Sequence, residues 1–138
     1  MTNHYIPRSC IEDNLKGTLA TTYDFAVNGG AIGTIELPGE IPDNAIITKC
    51  IVDVHTAPTS GGSATVALGL NTTTDLLAAT AIASVTGVVI AKDTAAAFKL
   101  TADRKVQVTI AVAALTAGKM AIVVEWVGAF DDVESVTV

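Results

Sequence analysis

The chain has 138 residues, of which 50% are hydrophobic and only 16% are charged, and its formal net charge is −6. This length fits a single domain, and the acidic balance argues against a nucleic-acid partner, because phosphate binding needs a basic patch. No apolar run approaches the roughly 20 residues of a membrane span, so we expect no membrane partner. The first ten residues lack a basic region followed by an apolar stretch, which predicts synthesis in the cytoplasm without a secretory signal.

The low charge is itself informative, because soluble domains usually carry roughly 25% charged residues. The deficit indicates that partner protein covers part of the surface, with Ala, Thr and Gly supplying flat contacts. The alternative is a monomer that is merely rich in alanine.

Three regions follow from the patterning. Residues 1–19 show no sustained period and are predicted to form an N-terminal arm, residues 20–130 a β-sandwich domain, and residues 131–138 an acidic C-terminal tail. An alternative for the first region is that Tyr5, Ile6 and Ile11 form an edge strand of the same domain.

Alternation of apolar and polar residues predicts most of the strands. In chain order they cover residues 21–27, 31–37, 46–56, 63–70, 85–90 and 97–100. Asn28-Gly29-Gly30 and Pro38-Gly39 are turn sequences between them. Residues 75–83 are rich in alanine and predict one or two helical turns, capped by Thr74 or Asp75.

The strongest pattern lies in residues 104–130, where period-two alternation on both sides of a Gly-containing segment predicts a β-hairpin. The inward residues would be Val106, Val108, Ile110, Val112, Met120, Ile122, Val124 and Trp126. The other face would hold Thr109, Ala111, Ala121, Val123 and Val127, which is too apolar for free solvent and predicts contact with a neighbouring subunit. As a core residue, Trp126 would cost about 3–5 kcal/mol on substitution by alanine.

Many short strands with turns between them and little helix predict an all-β fold, an antiparallel β-sandwich of jelly-roll-like form. The sequence offers no catalytic, cofactor-binding or metal-binding motif, so we expect no enzyme activity and no cofactor. His4 and His55 have no ligands at metal-binding spacing, and Cys50 is predicted to be a buried free thiol rather than the partner of Cys10. The carboxylates of Asp131, Asp132 and Glu134 predict a solvated tail, with a weak Ca²⁺ contact as the alternative.

Several passages resemble small structural proteins of tailed bacteriophages, in particular capsid decoration (cement) and head-fibre proteins. They are SATVALGLNTTTDLLAATAIASVT at residues 63–86, IPDNAII at residues 41–47, and LTAGK with the following VEW near the C-terminus, and the likeness covers about residues 30–128. The resemblance implies a jelly-roll-like domain that assembles, often as a trimer, on the outer surface of the major capsid protein lattice. The protein would then reside in the virion after synthesis in the host cytoplasm.

Two other classes of function remain open. A receptor- or glycan-binding module of a phage fibre or tail tip predicts an exposed site among the loops at residues 56–62 and 71–75, although only 4% of the chain is aromatic. A β-sandwich hydrolase or lyase would need a convergent cluster of polar residues, which no motif indicates.

Overall fold

The computed structural model describes residues 16–128, which form mostly β-strands. The strands are β1 (Lys16–Asp24), β2 (Gly33–Glu36), β3 (Ala45–Ser60), β4 (Thr65–Gly69), β5 (Leu77–Ala81), β6 (Val88–Lys92), β7 (Phe98–Lys99), β8 (Gln107–Ala111) and β9 (Leu115–Gly128). One helical turn, α1 (Phe25–Asn28), follows β1, and short 3-10 turns lie at Ile82–Ser84 and Thr94–Ala96.

The strands form two antiparallel sheets that pack against each other. Sheet 1 has the order β1-β9-β3-β6, and β7 pairs with β3 beside β6. Sheet 2 has the order β2-β8-β4-β5. The predicted all-β, antiparallel sandwich is therefore confirmed.

Alternate residues of each strand build the core between the sheets. The buried apolar residues that β9 and the region of β8 supply are Val106, Val108, Ile110, Leu115, Met120, Ile122 and Val124. Burying one such side chain completely contributes about 1.5–3 kcal/mol. Six of the eight inward residues predicted for residues 104–130 are thus confirmed.

The predicted hairpin at residues 104–130 is wrong. β8 pairs with β2 and β4, whereas β9 pairs with β1 and β3, so the two strands lie in different sheets and face each other across the core. The segment predicted as the hairpin loop, residues 115–118, is the start of β9. Period-two alternation shows that a strand buries one face, but it does not identify the strand beside it.

The connection between β8 and β9 is a tight turn at Val112. The amide of Ala113 donates to the carbonyl oxygen of Ala111 at 2.9 Å, and Val112 between them has φ +71. This is the hydrogen-bonding pattern of a γ-turn with positive φ, which is rare and strained. Val112 is therefore 69% exposed instead of buried, which corrects its predicted place in the core.

Trp126 is half-buried, which corrects its predicted full burial. Its indole lies over Gly17, its direct cross-strand partner in β1, and a Cβ on Gly17 would collide with the six-membered ring. The aromatic ring thus covers backbone that a glycine leaves bare.

The predicted helix at residues 75–83 is also wrong, because Leu77–Ala81 is strand β5 and pairs with β4. Asp75 does not cap a helix. Its carboxylate accepts hydrogen bonds from the amides of Leu70, Asn71 and Thr72 at 2.7–3.1 Å and so closes the loop before the strand. Pairing along the sheet edge outweighs the helix propensity of alanine.

The first strand starts earlier than predicted, at Lys16 instead of Thr21, so residues 16–19 of the predicted arm belong to β1. Residues 25–28, the first three of which were predicted to continue this strand, form α1, where Asp24 accepts from the amide of Ala26 at 3.0 Å. The rest of the arm, the alternative edge strand in it and the tail at residues 131–138 lie outside the described residues.

Candidate interaction surface

The outer face of sheet 1 carries a band of apolar side chains. Ala20, Val123, Ile51 and Ile90 are direct cross-strand neighbours on β1, β9, β3 and β6 and form one row across the sheet. The next row adds Ala121 and Val88, which lie on either side of Asp53 on β3. Ile90 and Val88 are 67% and 68% exposed. We call these six residues the apolar band.

Lysines occupy the end of this face where β1 begins and β9 ends. One row consists of Lys16, Val127, Ile46 and Lys99, and the next pairs Lys49 with Glu125. The three lysines are exposed. We call Lys16, Lys49 and Lys99 the basic end.

The opposite end of the face mixes charges of both signs. Asp53 and His55 follow each other on the exposed side of β3, with the imidazole Nε2 3.6 Å from the Asp53 carboxylate. Asp24 pairs with Lys119, and both line an open cleft of about 330 Å³ next to Val27. The Asp24 carboxylate caps α1, so the cleft is built around a group already engaged by its own chain.

A second apolar surface lies at the tip of the sandwich beside the γ-turn. Gly33 pairs with Ile110, and the carbonyl of Gly30 accepts from the amide of Leu115 at 2.8 Å, so residues 30–32 run beside residues 111–115. Ile32 and Val112 lie on these two segments and are 61% and 69% exposed. We call these two residues the tip.

The predicted subunit-contact face is divided between the two sheets. Ala121, Val123 and Val127 lie on the outer side of sheet 1, whereas Thr109 and Ala111 lie on sheet 2. The sequence interpretation missed Ile51, Val88 and Ile90, the most apolar part of the band. The short segment Val-Val-Ile without a charge could have indicated it, since natural edge strands usually carry charge.

The loops considered for glycan binding are held in place by strand pairing and by hydrogen bonds within the chain. Residues 56–60 belong to β3, and the Ser60 hydroxyl donates to the Ala114 carbonyl at 2.6 Å. The Asn71 side-chain oxygen accepts from Thr101 and from Nε of Arg104 at 3.2 Å, and its amide nitrogen donates to the carbonyl of Lys99 at 3.0 Å. A glycan site at these loops stays a prediction.

Cys50 is a buried free thiol, as its position in the strand predicted. Burial raises its pKa to about 12, so the reactive thiolate is scarce at neutral pH. His55 is exposed on its strand, as predicted.

Within residues 16–128, no group of three or more His, Cys, Asp or Glu side chains could hold a metal ion. Among the same residues, no helix is long and apolar enough to cross a membrane. His4, Cys10 and the carboxylates considered for Ca²⁺ lie outside the described range.

Comparison with known proteins gives structural likeness only. No protein-family model matches the chain. No curated protein matches it significantly. Among solved structures, a chain of the acid-stable capsid of Helicobacter pylori bacteriophage KHP30 matches with a TM-score of 0.61 and 14% identity, covering 84% of this chain and 90% of that chain. A chain of the capsid of Ralstonia phage GP4 matches with a TM-score of 0.57 and 25% identity, covering 83% of this chain and 86% of that one.

Proposed function

We propose that this protein is a non-enzymatic virion structural protein, a decoration or cement subunit that binds the outer surface of a phage capsid and stabilises the head. The observation that carries the proposal is a sandwich shared, over most of both chains, with proteins in two phage capsids. The major capsid protein would be its partner, and three copies would associate with one another.

The surface of the sandwich supports an assembling protein. Monomers seldom leave several large apolar side chains in water without a partner, and here the band and the tip are both open. In the tip, Val112 has a strained backbone, and its side chain is mostly exposed instead of packing against its own domain. We expect the tip to contact the capsid.

We also infer that the sandwich is a jelly roll. Sheet 1 combines the first, ninth, third and sixth strands, and sheet 2 combines the second, eighth, fourth and fifth. Leaving aside the two-residue β7, this order supports two Greek keys wound into an eight-strand sandwich. An experimental structure in which β1 and β9 were not neighbours would contradict it.

A binding experiment tests the function. Purified protein is mixed with capsids that lack it, and bound protein is measured by co-sedimentation and the heat resistance of the heads by calorimetry. We expect saturable binding and heads that open at a higher temperature. A protein that ignores capsids, stays strictly monomeric in light scattering and is absent from purified virions would refute the proposal.

Two variants locate the contact. Val112→Asp places a charge in the tip and should weaken capsid binding at least tenfold, since an unpaired charge in an interface costs several kcal/mol. Ala79→Asp is the matched control, because Ala79 is exposed on β5, at the opposite edge of sheet 2 from β2. Equal binding by both variants would remove the tip from the contact.

A further inference from the structure

We infer that Asn28 is a site of spontaneous deamidation, in which the backbone nitrogen of Gly29 attacks the Asn28 side-chain amide, and that the helical turn α1 controls its rate. This inference does not depend on a role in capsids. It concerns a covalent change that the chain undergoes in water without an enzyme.

The sequence sets Asn28 apart from the other asparagines. Of the five asparagines, only Asn28 is followed by glycine, whereas the others precede histidine, leucine, alanine or threonine. The reaction closes a five-membered ring on the following residue, and a glycine has no Cβ to obstruct that ring. At Gly29 no heavy atom beyond its chain neighbours lies within 4 Å of the place a Cβ would take. Asn28 also lines the open cleft beside Asp24 and Lys119, so water reaches it.

The bonds formed and broken balance with water as the only co-reactant. The Gly29 nitrogen bonds to Cγ of Asn28, the bond from Cγ to Nδ2 breaks, and ammonia leaves with the proton of the Gly29 amide. Water then opens the cyclic imide at either of its carbonyl carbons. One product has an aspartate at position 28. The other is an isoaspartyl linkage, in which the backbone runs through Cβ and Cγ and is longer by one atom.

The turn α1 engages both reacting groups. The Gly29 amide donates to the carbonyl oxygen of Phe25 at 2.9 Å. The side-chain oxygen of Asn28 accepts from the amide of Asp24 at 3.0 Å. Asn28 is the last residue of the turn, and ring closure requires its ψ to leave the helical range of about −42°. Deamidation therefore requires α1 to open first.

This turn has little to hold it closed. It consists of four residues, and a single helical turn is unstable by itself, because it fixes several dihedral angles for one hydrogen bond. Ala26 and Val27 are exposed, Val27 by 80%, whereas Phe25 packs against the core. A segment with so few buried contacts opens locally while the rest of the domain stays folded.

The two products differ in their effect on the fold. A carboxylate at position 28 still accepts from the Asp24 amide, so the aspartyl form keeps the turn. The isoaspartyl form displaces Gly29, whose carbonyl oxygen accepts from the Tyr23 hydroxyl at 2.6 Å. Tyr23 is fully buried, and its hydroxyl loses this partner. We expect the isoaspartyl form to unfold at a lower urea concentration than the aspartyl form.

Peptide mapping of the full chain by mass spectrometry tests the inference. The folded protein is incubated at neutral pH for several weeks, beside the chain unfolded in guanidinium chloride. We expect conversion at Asn28 with both products present, and a rate at least about tenfold higher in the unfolded chain, where no turn has to open. The Asn71 amide is the internal standard and should stay intact, because a β-branched threonine follows it.

Two variants separate the opening of α1 from a general loosening of the protein. Asp24→Ala removes the carboxylate that accepts from the Ala26 amide and caps α1. It should raise the rate in the folded protein about fivefold, which is the usual effect of a lost N-cap on such an equilibrium. Asp93→Ala is the matched control, because Asp93 caps the turn Thr94–Ala96 through the Ala95 amide in the same way. It should leave the rate at Asn28 unchanged.

The outcomes divide cleanly. Equal rates in the folded and unfolded chains, or equal rates in the two cap variants, would overturn the control by α1. An intact Asn28 in the unfolded chain, or faster conversion at another asparagine, would overturn the site itself. Ala26→Gly weakens the turn at an exposed position and replaces Asp24→Ala if circular dichroism shows that the latter does not fold.

Discussion

At the scale of single residues, Thr21 is a polar residue buried among apolar side chains. It points into the core from β1 and is 6% exposed, but its hydroxyl has no hydrogen-bond partner among the described residues. A buried hydroxyl without a partner costs about 1–3 kcal/mol. The position therefore weakens a core that is otherwise apolar.

Replacing this threonine by valine keeps its shape and removes the hydroxyl. We expect Thr21→Val to raise the free energy of unfolding by about 1 kcal/mol, measured by urea denaturation. Thr18→Val, on the exposed side of the same strand, is the control and should change it by less than about 0.5 kcal/mol. A destabilised Thr21→Val protein would show that the hydroxyl has a partner after all.

Cys50 makes stability depend on pH in the alkaline range. Burial raises its pKa from 9.0 to about 12, so between these values the unfolded chain loses a proton that the folded chain keeps. The stability from this group is complete below pH 9 and declines above it, by about 1 kcal/mol at pH 10.

The measurement is the free energy of unfolding at pH 8 and pH 10 for the natural chain and for Cys50→Ala. The variant should be less stable at pH 8, because it leaves a cavity, but its decline between the two pH values should be smaller by about 1 kcal/mol. Parallel declines in both proteins would mean that Cys50 does not cause the effect.

At the scale of elements, the turn at Val112 connects β8 of sheet 2 to β9 of sheet 1. A β-branched residue at positive φ costs on the order of 1–3 kcal/mol. Val112→Gly should therefore raise the free energy of unfolding by about 1 kcal/mol in urea denaturation. Val112→Ala keeps a Cβ and most of the strain, so a gain equal to that of glycine would contradict this explanation. If the tip contacts a capsid, the glycine variant should also bind more weakly.

The pair of Gly17 and Trp126 couples the first strand to the last. Gly17→Ala should cost about 1–2 kcal/mol in the natural chain, because the new methyl group displaces the indole. In Trp126→Ala the same change should be neutral or slightly stabilising, because alanine is preferred to glycine inside a strand. Additive effects in this double-mutant cycle would show that the two residues do not interact.

Because Trp126 is half-buried, Trp126→Ala alone should cost about 2 kcal/mol. This is less than the 3–5 kcal/mol of a fully buried aromatic residue. Urea denaturation of the single variant measures this directly.

The strands themselves could be predicted from the sequence, but their partners could not. Alternation located β3, β4 and the buried halves of β8 and β9, since it records which side chains leave water. It could not show that β8 and β9 face each other, because that depends on a γ-turn that valine normally avoids. Alanine-rich β5 was mistaken for a helix, because its strand pairing with β4 is a long-range contact absent from local propensity.

The candidate surface was predictable only in part, for the same reason. Val123 and Ala121 were expected on an apolar outer face, but Ile51 and Ile90 join them through the register of β3 with β6 and β9. Such a band runs across strands far apart in the chain. It becomes visible only when the sheet is assembled.

At the scale of the whole molecule, sheet 1 joins the two ends of the described chain in one strand pair. Contacts between such distant segments slow folding, and all-β sandwiches typically fold in milliseconds to seconds. We expect refolding in that range, monitored by stopped-flow fluorescence. Trp126 is the only tryptophan and sits against β1, so its signal reports the closure of the first strand on the last. Refolding complete within microseconds would contradict this expectation.

The pairing of Lys16 with Val127 also has a mechanical consequence. β1 and β9 are antiparallel, and the start of β1 lies beside the end of β9. A force that pulls residues 16 and 128 apart would therefore break the hydrogen bonds between the two strands one after another, as a zipper opens. A force along the strands, applied between opposite ends of sheet 1, would load many of the same bonds together. The sandwich should therefore yield easily when pulled by its two ends and resist strongly when stretched along its strands.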